Sequence, residues 1–258
     1  MSSEIESPDF VASLARGLTV IRAFGHDAHA MTLTEVARRT GLTRATARRF
    51  LLTLSTLGYA RSEDGKHFRL TPRVLDLGYA YLSSLDLVEV AQPFIEQVAG
   101  GTQESCSVAV LDGHDVVYVA RVPTKRIMRV ALSVGTRLPA HATSLGRVLL
   151  ADLPEAALDA FLADGPLARF TDRTVTDAAE LRRRLAEVRR QGYAVVDQEL
   201  EEGLRSISVP LRRRGAASAI AALNVSSHAS RVTNQELVRR FLPAMRAAAD
   251  GIAAALPG

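Results

Sequence analysis

The sequence predicts an α+β protein in which a small winged helix-turn-helix precedes a larger domain of mixed helices and strands. Residues 32–70 contain two short amphipathic helices, a turn glycine and a hairpin, in the order of a winged helix-turn-helix. After residue 86, runs that alternate with period two are interleaved with helical runs. We therefore predict a DNA-binding domain at residues 1–71, a connecting helix at 72–85 and a second domain at 86–258.

The first of the two short helices has clear start and stop signals. Thr32 followed by Glu35 is a capping box, and Gly41 favours the left-handed turn that ends a helix. Thr43 is a good N-cap for a second helix from about Arg44 to Leu57. The apolar stripe of this second helix follows helical spacing and comprises Ala47, Phe50, Leu51, Leu54 and Leu57.

A hairpin is predicted directly after the second helix. Asp64-Gly65 lies between two short alternating runs, which is a strong signal for a tight turn. This hairpin would be the wing, and Lys66 would lie at its tip. The winged helix-turn-helix reading therefore depends on caps, turn glycine and hairpin together, since each of them alone is common.

Positive charge is concentrated in this region. From Arg38 to Arg73 there are nine Lys or Arg residues and only two acids, whereas the whole chain has a formal net charge of +4. Arginines on a helix face are usually just solvated. Here their local excess favours a nucleic-acid surface in which Arg44 and Arg48, one turn apart, contact bases or phosphates. The predicted DNA-contacting residues are Thr43, Arg44, Ala45, Thr46, Arg48, Arg49 and Lys66.

Composition and motifs exclude several other classes of protein. The single cysteine, Cys106, excludes an internal disulfide framework, and we expect it to be a buried apolar residue of a cytoplasmic protein. No apolar run is long enough for a membrane span, and the acidic start does not resemble a signal peptide. His26 and His29 lack a third ligand, so we expect no metal and no cofactor.

An enzyme is the main alternative. His141 and Ser144, with Asp197, are candidate catalytic groups. However, the context A-T-S-L-G lacks the first glycine of a nucleophile elbow, and the chain has neither a Walker A loop nor a Rossmann glycine fingerprint. We therefore expect no catalytic activity.

The remaining elements are predicted from periodicity and from Gly and Pro punctuation. A first helix is expected at 11–24, with Leu14, Leu18 and Ile21 facing inward. Another, at 86–99, is expected to end at Gly100-Gly101. Further helices are expected at 143–153, 154–162, 177–191 and 233–256. Strands are expected at 104–111, 116–122, 127–133, 193–198, 206–211 and 218–225.

Polar residues cluster where the predicted strands of the second domain end and where a helix begins. The helix start at residues 141–146 offers free N–H groups for a carboxylate. Polar partners for a small acid are Thr143, Ser144, Asp197, Arg205, Ser206, Asn224 and Ser226, and its apolar part would lie on Leu145 and Leu204. Taken one by one, a local interpretation is at least as good for four of these residues. Thr143 is a helix cap, Asn224 and Ser226 bond the backbone, and Arg205 pairs with Glu201 or Glu202.

The order of these parts, and five sequence segments, resemble the IclR family of bacterial transcriptional regulators. The segments are LARGLTVIRAF, GLTRATARRFLLTLSTLGY, LPAHATSLGRVLLA, DQELEEGLRSISVPL and ALNVSSHASRVT. The last three are similar to the subgroup that controls aromatic-acid breakdown through the β-ketoadipate pathway. The resemblance covers about residues 10–256.

The resemblance implies a GAF-like effector-binding domain. It also implies a homodimer joined through the DNA-binding parts, often assembled as a dimer of dimers on a palindromic operator. The implied effector is a small organic acid such as protocatechuate, 4-hydroxybenzoate or β-ketoadipate. By position, the family's pocket falls on Ser144, Leu145, Leu204, Ser206, Asn224 and Ser226, with Asp197 beside it. Ser144-Leu145 replaces the Gly-Ala of some members and Ser206 replaces a Cys, which argues against glyoxylate or pyruvate.

Overall fold

The structure, a computed structural model, describes residues 9–25, 28–82, 86–123 and 132–256. Its chain divides into two compact units, Met1–Ser84 and Leu85–Gly258. The predicted boundary at residues 83–85 lies outside the described residues, and so does His26. Among the described residues, no helix has both the length and the apolar character needed to cross a bilayer.

The first unit is a winged helix-turn-helix, as predicted. A three-stranded antiparallel sheet, in the order β1-β3-β2, lies beside its helices. A 3-10 turn at Pro72–Val74 follows the wing. The elements are α1 (Ala12–Ala23), β1 (Met31–Thr32), α2 (Leu33–Thr40), α3 (Arg44–Thr56), β2 (Ala60–Arg61), β3 (His67–Leu70) and α4 (Leu75–Leu82).

Local signals set the ends of α2 and α3. The Thr32 N–H donates to Glu35 Oε2 at 2.7 Å, which completes the capping box. Gly41 has a φ of 68°, a left-handed conformation that glycine adopts at no steric cost. Thr43 caps α3 by accepting a hydrogen bond from the Thr46 N–H at 3.2 Å. These caps place α3 at a defined angle to α2, with its basic side turned away from the core.

The burial of α1 differs from the prediction. Leu14 and Leu18 are 62% and 48% exposed, while Val20 is fully buried against the other helices. The helix therefore packs on α2 and α3 through a different face from the one that carries Leu14 and Leu18. The contacts with neighbouring helices, and not hydrophobicity alone, determine which face is buried. Leu57, expected on the stripe of α3, is also exposed.

The second unit contains a six-stranded antiparallel sheet in the order β6-β5-β4-β9-β8-β7. The helices α5 and α10 pack on each other and on the sheet. A separate core joins α6, α7 and α8 to inward-facing strand residues such as Tyr118 and Ala222. The elements are α5 (Asp86–Thr102), β4 (Ser105–Asp112), β5 (Asp115–Val122), β6 (Arg137–Pro139), α6 (Ser144–Asp152), α7 (Glu155–Ala163), α8 (Ala178–Gln191), β7 (Ala194–Asp197), β8 (Leu204–Arg212), β9 (Ala219–His228), α9 (Asn234–Glu236) and α10 (Leu242–Ala255).

Three predictions for this unit need correction. The helix α5 continues through Gly100-Gly101 to Thr102, because buried residues such as Ile95 and Val98 hold it and offset the cost of about 1 kcal/mol per glycine. The closing helix is interrupted by a π-helical turn at Leu237–Phe241. The short strand β6 was not predicted, and most of the strand expected at 127–133 lies outside the described residues.

Candidate nucleic-acid interface and ligand pocket

The outer face of α3 is cationic and open. Arg44, Arg48 and Arg49 are exposed, while Ala47 and Leu51 on the opposite face are fully buried. No carboxylate of the described residues lies within 4.0 Å of these three arginines. Their charges are therefore not neutralised by the protein and are available to a polyanion.

The tip of the wing is held by one carboxylate. Asp64 accepts hydrogen bonds from the Lys66 and His67 N–H groups at 2.9 and 2.7 Å and contacts the His67 ring at 2.6 Å. The His67 ring and these N–H groups lower the pKa of Asp64 well below its usual range. The side chain of Lys66 remains exposed at the tip of the hairpin.

The second unit contains a cavity between the start of α6 and the sheet. A water-sized sphere can reach only about 20 Å³ of it, far less than the ~300–1,000 Å³ of typical small-molecule sites. The space clear of side chains admits little more than one water molecule, so a ring-sized ligand must push the lining apart. The lining residues are Tyr118, Leu132, Leu138, Ala142, Thr143, Ser144, Leu145, Val196, Leu200, Leu204, Ser206, Asn224 and Ser226.

The start of α6 is set tightly against the preceding turn. Thr143 Oγ1 accepts from the Gly146 N–H at 3.0 Å. A Cβ at position 146 would lie 2.1 Å from the carbonyl oxygen of Ala140, so only glycine fits there. The N–H groups of Ser144 and Leu145 are the first two of the helix and point out of its N-terminus. An acceptor in the cavity can pair with these groups.

The polar lining of the cavity is uncharged. Ser144 Oγ bonds Ser206 Oγ at 2.8 Å and Ser208 Oγ at 2.7 Å. Asn224 donates to Ser226 Oγ at 2.8 Å, and its amide oxygen is buried without a partner among the described residues. Such an unpaired amide end costs free energy unless a ligand bonds it.

Tyr118 also stays neutral. Burial raises the pKa of Tyr118 to about 12, so its hydroxyl remains a potential donor at physiological pH.

Seven of the nine predicted effector residues line this cavity, and two do not. The Arg205 guanidinium bonds both oxygens of Asp197, at 2.9 and 3.0 Å, and also the carbonyls of Ala229 and Val232. Burial tends to raise the pKa of Asp197, but the bonds from Arg205 outweigh it and lower the pKa. Asp197 and Arg205 thus satisfy each other at the end of β7. The predicted pairing of Arg205 with Glu201 or Glu202 is also not found.

Several lining residues were missed from the sequence. Tyr118 lies at an inward position of an alternating strand, which a period-two reading can locate. Val196 lies at an inward position of β7, opposite Ser206, and can be located in the same way. Leu132, Leu138, Ala142 and Leu200 are ordinary apolar residues whose sequence gives no such signal.

A buried ion pair supports the cavity from behind. The Arg147 guanidinium on α6 donates to both oxygens of Glu199, at 2.7 and 2.5 Å, and to the carbonyl of His141 at 3.0 Å. Glu199 also accepts from Arg184 and from the Val175 N–H. The pair joins α6 to the loop that carries Leu200, so it fixes two walls of the cavity.

His141, which leads into α6, is a structural residue. Its ring bonds the carbonyl of Ala168 at 2.9 Å, and burial lowers the pKa of the ring. Ser144, the proposed nucleophile of the enzyme alternative, bonds two serines instead.

Comparison with known proteins identifies the family. Residues 79–254 match the C-terminal model of the bacterial transcriptional regulator IclR, and residues 13–64 match the IclR helix-turn-helix domain. The chain belongs to the IclR family. It is therefore a DNA-binding transcriptional regulator and not an enzyme.

Relatives of this IclR-family chain include regulators of aromatic catabolism. The chain is 48% identical to the Pca regulon regulatory protein of Pseudomonas putida, over 93% of this chain and 82% of the relative. It is 41% identical to the p-hydroxybenzoate hydroxylase transcriptional activator of Acinetobacter baylyi, over 96% and 93%. An IclR homologue from Microbacterium hydrocarbonoxydans in complex with 4-hydroxybenzoate is 31% identical with a TM-score of 0.82, over 94% of this chain and 98% of that chain.

Proposed function

We propose that this regulator binds operator DNA through the cationic face of α3 and the wing, and that a small aromatic or dicarboxylic acid of the β-ketoadipate pathway controls it from the cavity. The DNA part rests on Arg44, Arg48 and Arg49, which are exposed and have no carboxylate partner among the described residues. Thr43, Ala45, Thr46 and Lys66 complete the proposed contact surface, since they lie at the helix start and at the tip of the wing.

The observation that carries the effector part is the cavity at the start of α6. Its lining combines an apolar surface, the first N–H groups of α6 and a buried amide oxygen that has no partner in the described part of the chain. These groups suit an acid that also carries a hydroxyl or a second polar group. The relatives that regulate the Pca regulon and p-hydroxybenzoate hydroxylase support acids of this class.

Assembly as a homodimer, and as a dimer of dimers on a palindromic operator, is part of the proposal. The first unit leaves large apolar side chains exposed on α1 and α4, among them Leu14, Leu18, Leu75 and Tyr79. A monomer rarely keeps such surface in contact with water. Sedimentation analysis of the full chain measures the assembly, and a monomer at micromolar concentration would contradict it. Operator binding also requires access to the chromosome, so the proposal implies a cytoplasmic protein.

The DNA part is tested by a gel shift on promoter fragments over a range of salt. With six to ten phosphate contacts, affinity should fall by about a thousandfold or more between about 50 and 200 mM salt. Binding that does not change with salt would show that the cationic face is not the interface.

The effector part is tested by thermal shift with hydroxylated benzoates and β-ketoadipate. A ligand at a hundred times its dissociation constant stabilises by about 2.7 kcal/mol. We expect Ser206→Leu, which fills the cavity, to abolish the shift and to leave DNA affinity unchanged. The control is Ser218→Leu, at an exposed turn position, which should retain the shift. Loss of DNA binding in Ser206→Leu would indicate misfolding.

A further inference from the structure

A row of polar residues continues from the cavity across the sheet. In the strand register, Ser208 pairs with Asn224, Asn224 with Ser107, and Ser107 with Arg121. Residues directly opposite each other in antiparallel strands project from the same face of the sheet. Asn224 lines the cavity, and Ser107 and Arg121, which are not part of its lining, continue the same row on the next two strands.

Arg121 has an unusual environment for an arginine. It is half-buried, and its Nη1 donates to Ser107 Oγ at 3.2 Å. Its Nε is buried and has no hydrogen-bond partner among the described residues. In the part of the chain that the structure describes, no carboxylate lies within 4.0 Å of its guanidinium. A partly desolvated cation without an anion is costly, and it is a feature of binding sites more than of structural ones.

Among the described residues, the titratable groups that interact with Arg121, Tyr118 and Cys106, do not supply the missing negative charge. Burial raises the pKa values of Tyr118 and of Cys106 to about 12, so both are neutral at physiological pH. Burial also lowers the pKa of Arg121 itself. The site is thus positively charged, partly dry and next to a cavity whose own lining carries no charge.

Two electropositive positions therefore flank Asn224. On one side is the start of α6, where Ser144 contacts Ser206 and Ser208 on β8. On the other side is the Arg121 guanidinium, which lies over Ser107 on β4. β4 and β8 are both neighbours of β9, so these positions are separated by about two strand spacings, ~10 Å. A substituted benzene ring or a six-carbon chain with polar groups at both ends spans such a gap.

We propose that Arg121 binds a carboxylate of the effector, while the start of α6 and Asn224 bind a hydroxyl or second acid group at its other end. This inference rests on the proposed function, since it names the residue that makes the proposed site prefer an acid over a neutral compound of the same shape. It replaces Arg205, the arginine that the sequence suggested, because Arg205 is fully engaged by Asp197 and two backbone carbonyls. Arg121 is thus a specificity-determining residue.

The test compares acids with their neutral amides. The probes are 4-hydroxybenzoate and 4-hydroxybenzamide, 3,4-dihydroxybenzoate and its amide, and adipate and adipamide, with dissociation constants measured by calorimetry on the full chain. The wild type should prefer each acid that binds over its amide. Arg121→Gln should weaken acid binding by about tenfold to a hundredfold, as expected for a hydrogen bond between charged groups, and leave amide binding unchanged. Arg121→Lys should keep part of the preference.

The control is Arg205→Gln, which removes the rival arginine. This variant should melt at a lower temperature, because it leaves Asp197 without its main partner, but it should keep the acid-over-amide ratio. Arg121→Gln should melt no lower than the wild type, since it removes an uncompensated cation.

Each other outcome identifies what has failed. If the wild type binds an acid and Arg121→Gln keeps the same ratio, Arg121 is not the acid-binding residue and the proposed function stands. Equal loss of acid and amide in Arg121→Gln, with a lower melting temperature, means a structural role and overturns the inference. If the wild type binds DNA but none of the acids, the effector part of the proposed function fails. The inference about Arg121 then fails with it.

Discussion

The arginines of the two units have opposite environments. On α3, Arg44 and Arg48 are exposed and have no carboxylate partner among the described residues. In the second unit, Arg147 and Arg205 have side chains that are only 3% and 12% exposed, and each bonds both oxygens of an acid. Arginine is therefore unpaired on the surface where a polyanion must bind, and it is paired with a carboxylate where it stabilises the fold.

The difference follows from the cost of burying charge. An exposed guanidinium is solvated, so it needs no partner and keeps its charge for DNA. A buried guanidinium loses that solvation, and only good geometry with a carboxylate offsets the loss. Arg121 fits neither group, because it is half-buried and has no acid partner in the described residues. It is this exception that carries the inference about effector acids.

The largest effect is expected from breaking the buried pair. Arg147→Met leaves Glu199 buried with only Arg184 and the Val175 N–H, and should lower the free energy of unfolding by about 3–5 kcal/mol. Urea unfolding followed by circular dichroism measures this change. The double variant Arg147→Met with Glu199→Met should recover part of it, because both charges are then gone. A loss below about 1 kcal/mol in the single variant would mean that the pair does not support the cavity.

An intermediate effect is expected on DNA binding. Arg48→Ala should weaken operator affinity by about 1–3 kcal/mol if this residue bonds a base, and should leave the melting temperature unchanged. The matched control is Arg183→Ala, which removes the same charge from an exposed position on α8. Equal weakening by both variants would show that only the net charge matters.

The smallest effect is expected for an exposed arginine that is already paired. Arg183 contacts Glu180 at 2.8 Å on the surface, so Arg183→Ala should change the free energy of unfolding by no more than about 1 kcal/mol. The same urea experiment measures it. A loss as large as that of Arg147→Met would remove the distinction between buried and exposed pairs.

Local signals in the sequence were sufficient for the winged helix-turn-helix. The capping box at Thr32, the left-handed Gly41 and the cap Thr43 act on neighbours within a few residues. Each can therefore be recognised from the sequence without knowledge of the fold. The same logic located Thr143 at the start of α6 and the end of α8 at residue 191, which the left-handed Gly192 follows.

Contacts between distant residues were not predictable in this way. The inward face of α1 and the continuation of α5 through Gly100-Gly101 depend on packing partners far along the chain. Arg205 is outside the cavity lining because it bonds Asp197 and the carbonyls of Ala229 and Val232, which lie 24 and 27 residues further on. The pair of Arg147 and Glu199 joins residues 52 positions apart, and nothing local marks either of them.

The order of residues alone was therefore enough to specify the helix ends, the wing and the excess of positive charge on α3, because caps, turns and charge act over short range. Folding in three dimensions selected which arginines meet acids and which remain open, since that choice depends on strand register and burial. Arg121 illustrates the division: its sequence neighbours are unremarkable, and only the alignment of β5, β4 and β9 places it in one row with Ser107 and Asn224.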